Sequence, residues 1–501
     1  MQNNSQHNNT IETTLWGKQA LLARKEKIKA RQALISASRQ SWIDSASYFY
    51  SWIERLLQFI VEPNKRVLAL RCETGFLLKS VSPCYGLGID LTEKMVSVAA
   101  QKEPALNFKV GDPEEITFSE EFDYVIVQNI SDTVDALSLL KNAKTACHSR
   151  TRLIVYTYNV LWKPFILLAE HLNWTAKREE QNWLKVKDLQ NLLQLSGFEV
   201  IETYDTVAVP IHIPIVSSLA NHIIPLIPFV SKLCLMRAIV ARVIEPPIPA
   251  SDLSVSVIIP CRNESGNIAH AVTRIAEMGA KTELIFCDDK STDSTRQEIL
   301  DAIRDNPTRN IKLIDGPGDG KAKNVWTGFK AATSDILMIL DADLTVMPEE
   351  LPLFLDAIAT KRCEFVNGVR LTYPLPKGAM NFCNLLGNEF FSRTFSYLLK
   401  QHISDTLCGT KVLWKKDWER IELLLNSWGV EDRWGDYELL FGAAKLHLKI
   451  QDLPVHYQER KFGYSKMVRV LQNGIRMLAL SGVAFVKLRY GHILVSTSRK
   501  L

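Results

Sequence analysis

The sequence predicts an α/β protein made of two doubly wound domains. Two series of short, β-rich apolar runs alternate with helical stretches, one over residues 65–242 and one over residues 254–465. Alternation of strands with helices is typical of doubly wound parallel sheets. The segment EPPIPASD at 245–252 is rich in proline and separates the two series, so it is the best linker candidate in the chain.

The pattern along the chain predicts five regions. They are a polar and basic N-terminal arm (1–42), a first domain (43–243), a linker (244–253), a second domain (254–465) and a basic amphipathic tail (466–501). The strands of the first domain are expected in RVLAL, GLGID, FDYVIV and RLIVYTY. Those of the second are expected in SVSVIIP, TELIFCDD, NIKLID, DILMILDAD and CEFVNGVRL.

Composition excludes several classes of protein. The chain has 501 residues, 47% of them hydrophobic and 23% charged, which is ordinary for a globular protein and excludes a disordered or collagen-like chain. The net charge is +5, but the residues from 459 onward contribute nine basic side chains against one acidic one. Because the basic excess lies in the tail, we expect no nucleic-acid partner.

The cysteines indicate a reducing compartment. There are nine, the closest two are twelve residues apart, and no CxxC pair occurs, so a zinc framework is not expected. Most lie in apolar runs, as buried free thiols do. The N-terminus has no charged region followed by an apolar core, so we expect a cytoplasmic protein without a secretory signal.

Two segments could contact a membrane. Residues 206–231 contain no Asp, Glu, Lys or Arg, but they include prolines 210, 214, 225 and 228, so we expect a loop and helix capping the first domain rather than a spanning helix. Residues 468–490 are amphipathic with basic flanks. That pattern suits a peripheral position on a membrane surface, and an ordinary helix packed on the second domain is the alternative.

Polar side chains follow the first two strands of the second domain. In SVIIPCRNESGNI a buried strand ends at Pro260, and Arg262, Asn263 and Glu264 follow. In ELIFCDDKSTDST a strand ends at Asp288 and Asp289. Ligands of open α/β sheets bind at the carboxyl ends of the strands, so a binding site is expected there. The nearby Asp293 is expected to cap a helix.

A third strand of the second domain predicts a metal site. DILMILDADL carries five apolar residues into Asp341-Ala342-Asp343. Two acids at a strand end can both reach a hard cation, and Mg²⁺ or Mn²⁺ prefers oxygen ligands and keeps some positions for phosphate. We therefore expect Asp341 and Asp343 to hold a divalent cation beside a diphosphate.

Five motifs in order make residues 254–465 resemble the family 2 glycosyltransferases, which have the GT-A nucleotide-sugar-binding fold. They are IIPCRNE, CDDKSTD, GKAKNVWTGFKAA, LDADL and WGDYELL. The resemblance implies that Asn263, Glu264, Asp288 and Asp289 surround the base and ribose of a nucleotide sugar. It also implies that Asp341 and Asp343 hold the sugar and the metal-bound diphosphate, with Lys321 nearby.

The same resemblance implies an inverting displacement in which a base deprotonates the acceptor. Asp436, in RWGDYELL, matches the position of that base, and Glu431 and Asp432 are close enough in sequence to be rivals. A surface acid at the start of a helix is the alternative interpretation of Asp436.

Two later segments resemble polyprenyl-phosphate glycosyltransferases of the dolichyl-phosphate type. They are SDTLCGTKV, with Asp405 and Lys411, and QERKFGYSKM, with Arg460, Ser465 and Lys466. Cations beside a glycine turn and a hydroxyl suit phosphate binding, so the resemblance implies a lipid-phosphate or glycan acceptor. Because a phosphate acceptor is already ionised, Asp436 would then position the acceptor rather than deprotonate it. Binding of these cations to anionic headgroups or solvent is the alternative.

Residues 43–243 resemble a class I S-adenosylmethionine-dependent methyltransferase with a Rossmann-like fold. In VLALRCETG, however, the expected acid is Ala69 and two expected glycines are Arg71 and Glu73, so only Gly75 fits. The later motifs match better. They place Asp90 of GLGID at the cofactor ribose and Asp112 of VGDPEEI near the adenine.

The sequence thus predicts a glycosyltransferase at the cytosolic face of the inner membrane, fused to a methyltransferase-like domain. S-adenosylmethionine is a second cofactor candidate. An active methyltransferase on the same acceptor is the rival hypothesis, and a non-enzymatic membrane-surface protein with two retired folds is the third.

Overall fold

A computed structural model describes residues 3–175, 177, 181–374, 382–430, 432–462 and 470–494. The chain forms two compact units. The first contains the chain up to Ile244 and from Tyr490 onward, and the second contains Glu245–Arg489. Each unit has its own seven-stranded sheet with helices against it.

The first unit has eight helices before its last strand ends. They are α1 (Asn3–Ser45), α2 (Ser47–Ile60), α3 (Phe76–Ser80), α4 (Glu93–Lys102), α5 (Ala136–Thr145), α6 (Lys163–His171), α7 (Val186–Leu195) and α8 (Val216–Ile223). Its strands are β1 (Arg66–Leu70), β2 (Tyr85–Asp90), β3 (Asn107–Val110), β4 (Phe122–Val127), β5 (Cys147–Tyr158), β6 (Phe198–Thr206) and β7 (Met236–Val243).

The first sheet has the order β3-β2-β1-β4-β5-β7-β6. The five strands β1–β5 run parallel, as predicted, whereas β7 lies antiparallel between β5 and β6. The sheet is therefore mixed, because after β6 and the segment that contains α8 the chain enters between β5 and β6 in the opposite direction. Alternate residues of β1 join two core clusters, Val67 and Ala69 one and Leu68 and Leu70 the other, so both faces of the strand are buried.

The second unit repeats this plan. Its helices are α9 (Ile268–Arg274), α10 (Thr295–Asp305), α11 (Lys321–Ala331), α12 (Leu351–Ala359), α13 (Phe382–Leu399), α14 (Lys415–Glu422), α15 (Asp436–Lys445) and α16 (Val470–Ala484). Its strands are β8 (Ser254–Cys261), β9 (Lys281–Asp288), β10 (Asn310–Asp315), β11 (Ile336–Ile339), β12 (Phe365–Val369), β13 (Lys411–Trp414) and β14 (Ile450–Pro454).

The second sheet has the order β10-β9-β8-β11-β13-β12-β14. Strands β8–β11 are parallel neighbours, and β13 runs antiparallel to both β11 and β12. The predicted class, α/β with two doubly wound domains, is confirmed, and the insertion of one antiparallel strand makes each sheet mixed rather than wholly parallel.

The C-terminal helices are integrated into the two units. Met477, Leu480 and Ala484 of α16 are buried in the core of the second unit, which is the packed alternative for this segment. A last short helix, α17 (Gly491–Leu494), packs on α2 in the first unit through Ile493. Of the predicted tail 466–501, residues 466–469 and 495–501 lie outside the described part.

Residues 206–231 form the end of β6, the short helix α8 and two turns of 3₁₀ helix. Across the described ranges, no helix is both long enough and apolar enough to cross a membrane.

Candidate active site

The carboxyl ends of β8, β9 and β11 meet at one edge of the second sheet around a cavity of about 300 Å³. Its lining is Pro260, Cys261, Arg262, Glu264, Asp289, Gly320, Lys321, Asn324, Asp341, Ala342, Asp343 and Arg460. Seven of the nine side chains predicted around the nucleotide sugar are among them. The other two, Asn263 and Asp288, lie in the adjoining loops.

The two acids that follow β11 each have a cation partner. The Lys321 ammonium lies 2.6 Å from Asp341 Oδ1. The Asp343 carboxylate accepts hydrogen bonds from the backbone and hydroxyl of Thr345 through Oδ1, and the Arg460 guanidinium contacts its Oδ2. The cavity therefore places two carboxylates and two cations side by side.

These ion pairs keep their charges despite burial. Burial by itself raises the pKa of Asp341, but the Lys321 ammonium outweighs it and holds the pKa below its usual range. Burial by itself lowers the pKa of Lys321, and the charges of Asp341 and Asp436 raise it above its usual value. Both groups are therefore ionised near neutral pH.

The donor set suits a cation that shares its ligands with a phosphate. Within the described part of the chain, no three His, Cys, Asp or Glu side chains are grouped so that they could hold a metal ion by themselves. Mg²⁺ is usually held by one or two carboxylates and completes its coordination with substrate phosphates and water. Asp341 and Asp343 fit that pattern if Lys321 and Arg460 turn toward the phosphates.

Asp289 fixes the glycine-rich loop that precedes α11. Its Oδ1 accepts from the Gly318 N–H at 2.6 Å, and its Oδ2 accepts from the Gly320 N–H at 3.3 Å. Because Lys321 is the next residue, this carboxylate sets where the lysine enters the cavity. Both oxygens of Asp289 therefore already have backbone partners.

The loops after β8 and β9 are joined by hydrogen bonds. Asn263 Oδ1 accepts from the Thr292 N–H at 2.7 Å, and Asp288 Oδ1 accepts from the Ser291 N–H at 3.1 Å. Asp293 Oδ1 accepts from the Thr295 N–H at 3.0 Å, but the N-cap position of α10 is Ser294, so Asp293 lies one residue before the cap that it was expected to form. This network gives the wall of the cavity a fixed shape.

Asp436 is the first residue of α15 and is only 4% exposed. Its carboxylate lies 3.6 Å from the Lys411 ammonium. Burial raises the pKa of Asp436, while Lys411 and Lys321 act in the opposite direction. The positive end of the helix dipole also favours the ionised carboxylate.

Asp432 holds the start of the same helix. Its carboxylate accepts the N–H groups of Trp434, Tyr437 and Glu438. Burial, and then the neighbouring charge of Asp436, raises the pKa of Asp432 to about 6. Its oxygens are engaged with the backbone, which leaves Asp436 as the better placed of the two acids. The third candidate, Glu431, lies outside the described residues.

Two side chains predicted to contact the acceptor, Asp405 and Lys411, have no exposed surface. The Asp405 carboxylate is bound by Arg370, with Nε 2.7 Å from Oδ2. The Lys411 ammonium donates to Asn367 and to the Cys408 carbonyl. A phosphate could reach neither without rearrangement, so both support the site from beneath. Ser465 and Lys466 lie outside the described residues.

In the first unit, Asp90, which was predicted to bind the cofactor ribose, is inaccessible from the surface. Asp90 is fully buried and accepts hydrogen bonds from the N–H groups of Glu73 and Leu91. Burial raises its pKa to about 6, although Arg71 acts in the opposite direction. Each oxygen has a backbone partner and the side chain has no exposed surface, so ribose hydroxyls could reach this acid only after a rearrangement. Gly75 begins α3 with a φ of 77°.

Helix α1 supplies cations to the other predicted cofactor positions. Arg39 Nη2 lies 2.7 Å from Glu73 Oε2, and the Asn129 amide donates to the other Glu73 oxygen. The Lys25 ammonium lies 2.6 Å from Asp112 and 2.8 Å from Glu115. With Glu73 in place of a glycine and Asp90 enclosed, this arrangement does not fit S-adenosylmethionine.

The sequence predicts no role for Arg370, and it predicts only a polar and basic arm where the structure has α1. One signal was available, because Lys25 and Arg39 are fourteen residues apart, nearly four helical turns, and so share one face of α1. For Arg370, which follows an ordinary strand, no local signal distinguishes it from a surface arginine.

Residues 256–420, about a third of the chain, match the model of the glycosyl transferase family 2. This segment is therefore a family 2 glycosyltransferase domain, which confirms the resemblance carried by its motifs. A dolichol-phosphate mannosyltransferase from Pyrococcus furiosus is 35% identical over 108 residues, which are 21% of this chain and 30% of the mannosyltransferase. The chain thus spans less than a third of the length of this curated relative.

Solved structures similar to the chain include both predicted fold types. Glucosyl-3-phosphoglycerate synthase from Mycobacterium tuberculosis, solved with Mn²⁺, UDP and glucosyl-3-phosphoglycerate, aligns with 47% of this chain and 80% of its own, at 15% identity and a TM-score of 0.34. A TehB-like SAM-dependent methyltransferase from Corynebacterium glutamicum aligns with 42% and 97%, at 16% identity and a TM-score of 0.29. Likenesses with TM-scores below 0.5 identify neither a substrate nor a mechanism.

Proposed function

We propose that the second unit transfers a sugar from a nucleotide sugar to an acceptor, with inversion at the anomeric carbon. The observation that carries this proposal is the cavity at the carboxyl edge of the sheet, where Asp289, Lys321, Asp341 and Asp343 converge. A concave site with convergent charged groups at this edge is the arrangement expected for a nucleotide ligand in an open α/β sheet.

Each side of the cavity suits one part of the donor. Arg262 and Glu264, after β8, line the cavity and would face the nucleoside. Lys321 presents a cation to the diphosphate, for which charge-assisted hydrogen bonds are strong. Asp341 and Asp343 would hold Mg²⁺ or Mn²⁺, which when bound neutralises the charge that develops on the departing nucleoside diphosphate.

We infer that the acceptor is a lipid phosphate of the polyprenyl type. This inference rests on the motifs in segments 404–412 and 458–467. Arg460, already in the cavity, together with Ser465 and Lys466, would contact the acceptor phosphate. Asp405, through Arg370, and Lys411 would support the wall beneath it. An ionised phosphate attacks without a base, so Asp436 would orient it. For a hydroxyl acceptor, Asp436 would take the proton.

For the first unit we propose a scaffold role without methyl transfer, because α1 occupies the cofactor positions with Lys25 and Arg39. We place the protein at the cytosolic face of the inner membrane. The free thiols of the described cysteines, four of them buried in the second unit, are typical of a reducing compartment.

The test is release of nucleoside diphosphate from a panel of nucleotide sugars, with Mn²⁺ or Mg²⁺, with chelator, and with polyprenyl phosphate as acceptor. We expect metal-dependent release from one donor, increased by the acceptor. Asp343→Asn should reduce turnover at least about a hundredfold, because an electrostatic contact to the reacting group is lost. Asp301→Asn, the same change on the surface of α10, should have no effect. No release from any donor, or full turnover by Asp343→Asn, would contradict the proposal.

A further inference from the structure

The first unit exposes many large apolar side chains in two segments, and we call the surface that they form the apolar surface. It is formed by the outward side chains of residues 161–174 and 211–233. Its most exposed members include Phe165 (63%), Leu219 (58%) and Phe229 (79%). Single exposed apolar residues are normal in soluble proteins, but a contiguous patch marks a site of interaction.

One helix of this surface, α8, is turned inside out. In α8 the buried side chains are the polar Ser217 and Asn221, whereas Val216 and Leu219 point outward. Asn221 Oδ1 accepts from the backbone N–H groups of Ala208 and Val209, so the polar face is what anchors the helix. None of the residues of α6 is buried. A helix of a globular protein normally buries its apolar face. The exposed apolar face of α8 is therefore available to contact another molecule or a lipid surface.

The two segments form one continuous surface. The Trp162 indole N–H donates to the Leu233 carbonyl at 2.8 Å. The Asn159 side-chain amide donates to the Lys232 carbonyl at 2.7 Å and to the Cys234 carbonyl at 3.0 Å. These bonds fix α6 against the turns that follow α8, beyond the carboxyl end of β5.

The charges of this surface point to a lipid bilayer as the occupant. Residues 206–231 contain no charged side chain, and the two segments together hold Lys163 and Lys232 against one acid, Glu170. The Lys232 ammonium lies 5.2 Å from the centre of the Phe229 ring, so an exposed aromatic side chain is flanked by a cation. A typical interface between proteins carries about ten direct hydrogen bonds. A bilayer requires only apolar side chains and favours a basic border near anionic headgroups.

We propose that the apolar surface of the first unit inserts into the headgroup boundary of an anionic membrane. The elements lie on the membrane and do not span it, since α8 has eight residues and is followed only by turns. This inference is independent of the proposed transfer reaction, because release of nucleoside diphosphate can be measured without vesicles.

The test is flotation of the full chain with vesicles of phosphatidylcholine and phosphatidylglycerol, and with vesicles of phosphatidylcholine alone. We expect the protein to float with both and more strongly with the anionic vesicles. The triple variant Phe165→Ser, Leu219→Ser, Phe229→Asn should bind at least about tenfold more weakly, because it removes three inserting side chains. Asparagine is chosen at 229 because the φ there is 67°.

The matched control replaces three exposed leucines of the second unit: Leu300→Ser, Leu353→Ser and Leu423→Asn. It should float like the unmodified protein. Equal binding by the two triple variants, or no flotation of the unmodified chain, would overturn the proposal. It would also be overturned if the first triple variant converted a dimer to a monomer while vesicle binding stayed unchanged, since the surface would then join two copies.

A second measurement does not depend on the stability of the triple variant. Brominated acyl chains should quench part of the tryptophan fluorescence of the vesicle-bound protein, and Trp174→Phe should reduce that quenched part, because Trp174 is exposed at the edge of the surface. Quenching that is the same in Trp174→Phe and in the unmodified protein would count against insertion of this surface.

Discussion

At the scale of single residues, Gly409 stands directly against the paired charges of the cavity. A Cβ built on this glycine would overlap the Asp341 carboxylate and would lie 2.7 Å from the Lys321 ammonium. Both partners are held in place by their mutual ion pair at 2.6 Å. The absence of a side chain at 409 is therefore required for Asp341 to occupy its observed position.

We expect Gly409→Ala to reduce nucleoside diphosphate release at least about tenfold, because a displacement of roughly 1 Å in a catalytic site is costly. The measurement is kcat/KM for the donor identified in the panel. Gly387→Ala is the matched control, since a Cβ there meets no atom within 4 Å. Unchanged kcat/KM in Gly409→Ala would show that the Asp341–Lys321 geometry does not matter to transfer.

The raised pKa of Asp90 predicts how the free energy of unfolding of the protein depends on pH. Burial raises the pKa of Asp90 from the usual 3.8 to about 6 in the folded protein. Between these two values the folded state binds more protons than the unfolded state, so the contribution of Asp90 to the free energy of unfolding falls as the pH rises. The shift corresponds to a loss on the order of 2 kcal/mol between pH 4 and pH 7, because the carboxyl of the unfolded chain is already more than half ionised at pH 4.

Asp90→Asn cannot titrate, so its stability relative to the unmodified protein should increase from pH 4 to pH 7. Loss of one of the two backbone hydrogen bonds lowers the stability of the variant by a constant amount at every pH. The measurement is the difference in melting temperature between the two proteins across this range. A difference that stays constant with pH would mean that Asp90 titrates alike in the folded and unfolded states.

At the scale of elements, α1 decides what the first unit can bind. Its Arg39 and Lys25 pair with Glu73 and Asp112, two of the positions that a methyltransferase would use for its cofactor. Removal of one partner from a partly buried ion pair destabilises the folded protein, because the other charge is left without compensation. The two ion pairs therefore hold α1 against the loops that carry Glu73 and Asp112.

We expect no S-adenosylmethionine binding to the full chain by isothermal titration calorimetry, because Asp90 has no exposed surface and Glu73 replaces a glycine. Relief of the ion pairs in Lys25→Gln and Arg39→Gln should not create binding, since the enclosed Asp90 remains. Saturable binding by the unmodified protein would instead support the rival hypothesis of an active methyltransferase.

The apolar face of the amphipathic helix α16 packs against the core of the second unit. Its apolar residues Met477, Leu480 and Ala484 are buried in the second unit, while Ile475 and Leu478 are exposed. Periodicity predicts an apolar face but not what covers it. Deletion from residue 468 onward would therefore damage the core of the second unit as well as any membrane contact.

At the scale of the whole molecule, the chain is two units, each with its own core and its own mixed seven-stranded sheet. The family match lies within the second unit, at 256–420. The candidate active site lies in that unit, and the apolar surface lies in the first. We therefore infer a division of labour in which one unit carries the chemistry and the other contacts the membrane.

The sequence by itself determined the fold class and the edge of the sheet at which the polar side chains gather. Apolar runs that end in Pro260, Asp288 and Asp341 predict strands, and parallel strands bring their carboxyl ends to one edge. These signals are local, because each motif lies within a few residues of its strand. They were sufficient to predict six lining residues of the cavity, and the seventh, Lys321, followed only from the family resemblance.

Only the tertiary structure decided which charges are partners. Arg460 reaches Asp343 across 117 residues of sequence, and Arg39 reaches Glu73 from a different element. The same is true of the enclosure of Lys411 and the outward face of α8, which the local pattern left open. Such pairings depend on how elements pack, and packing joins residues whose separation in sequence carries no information about their separation in space.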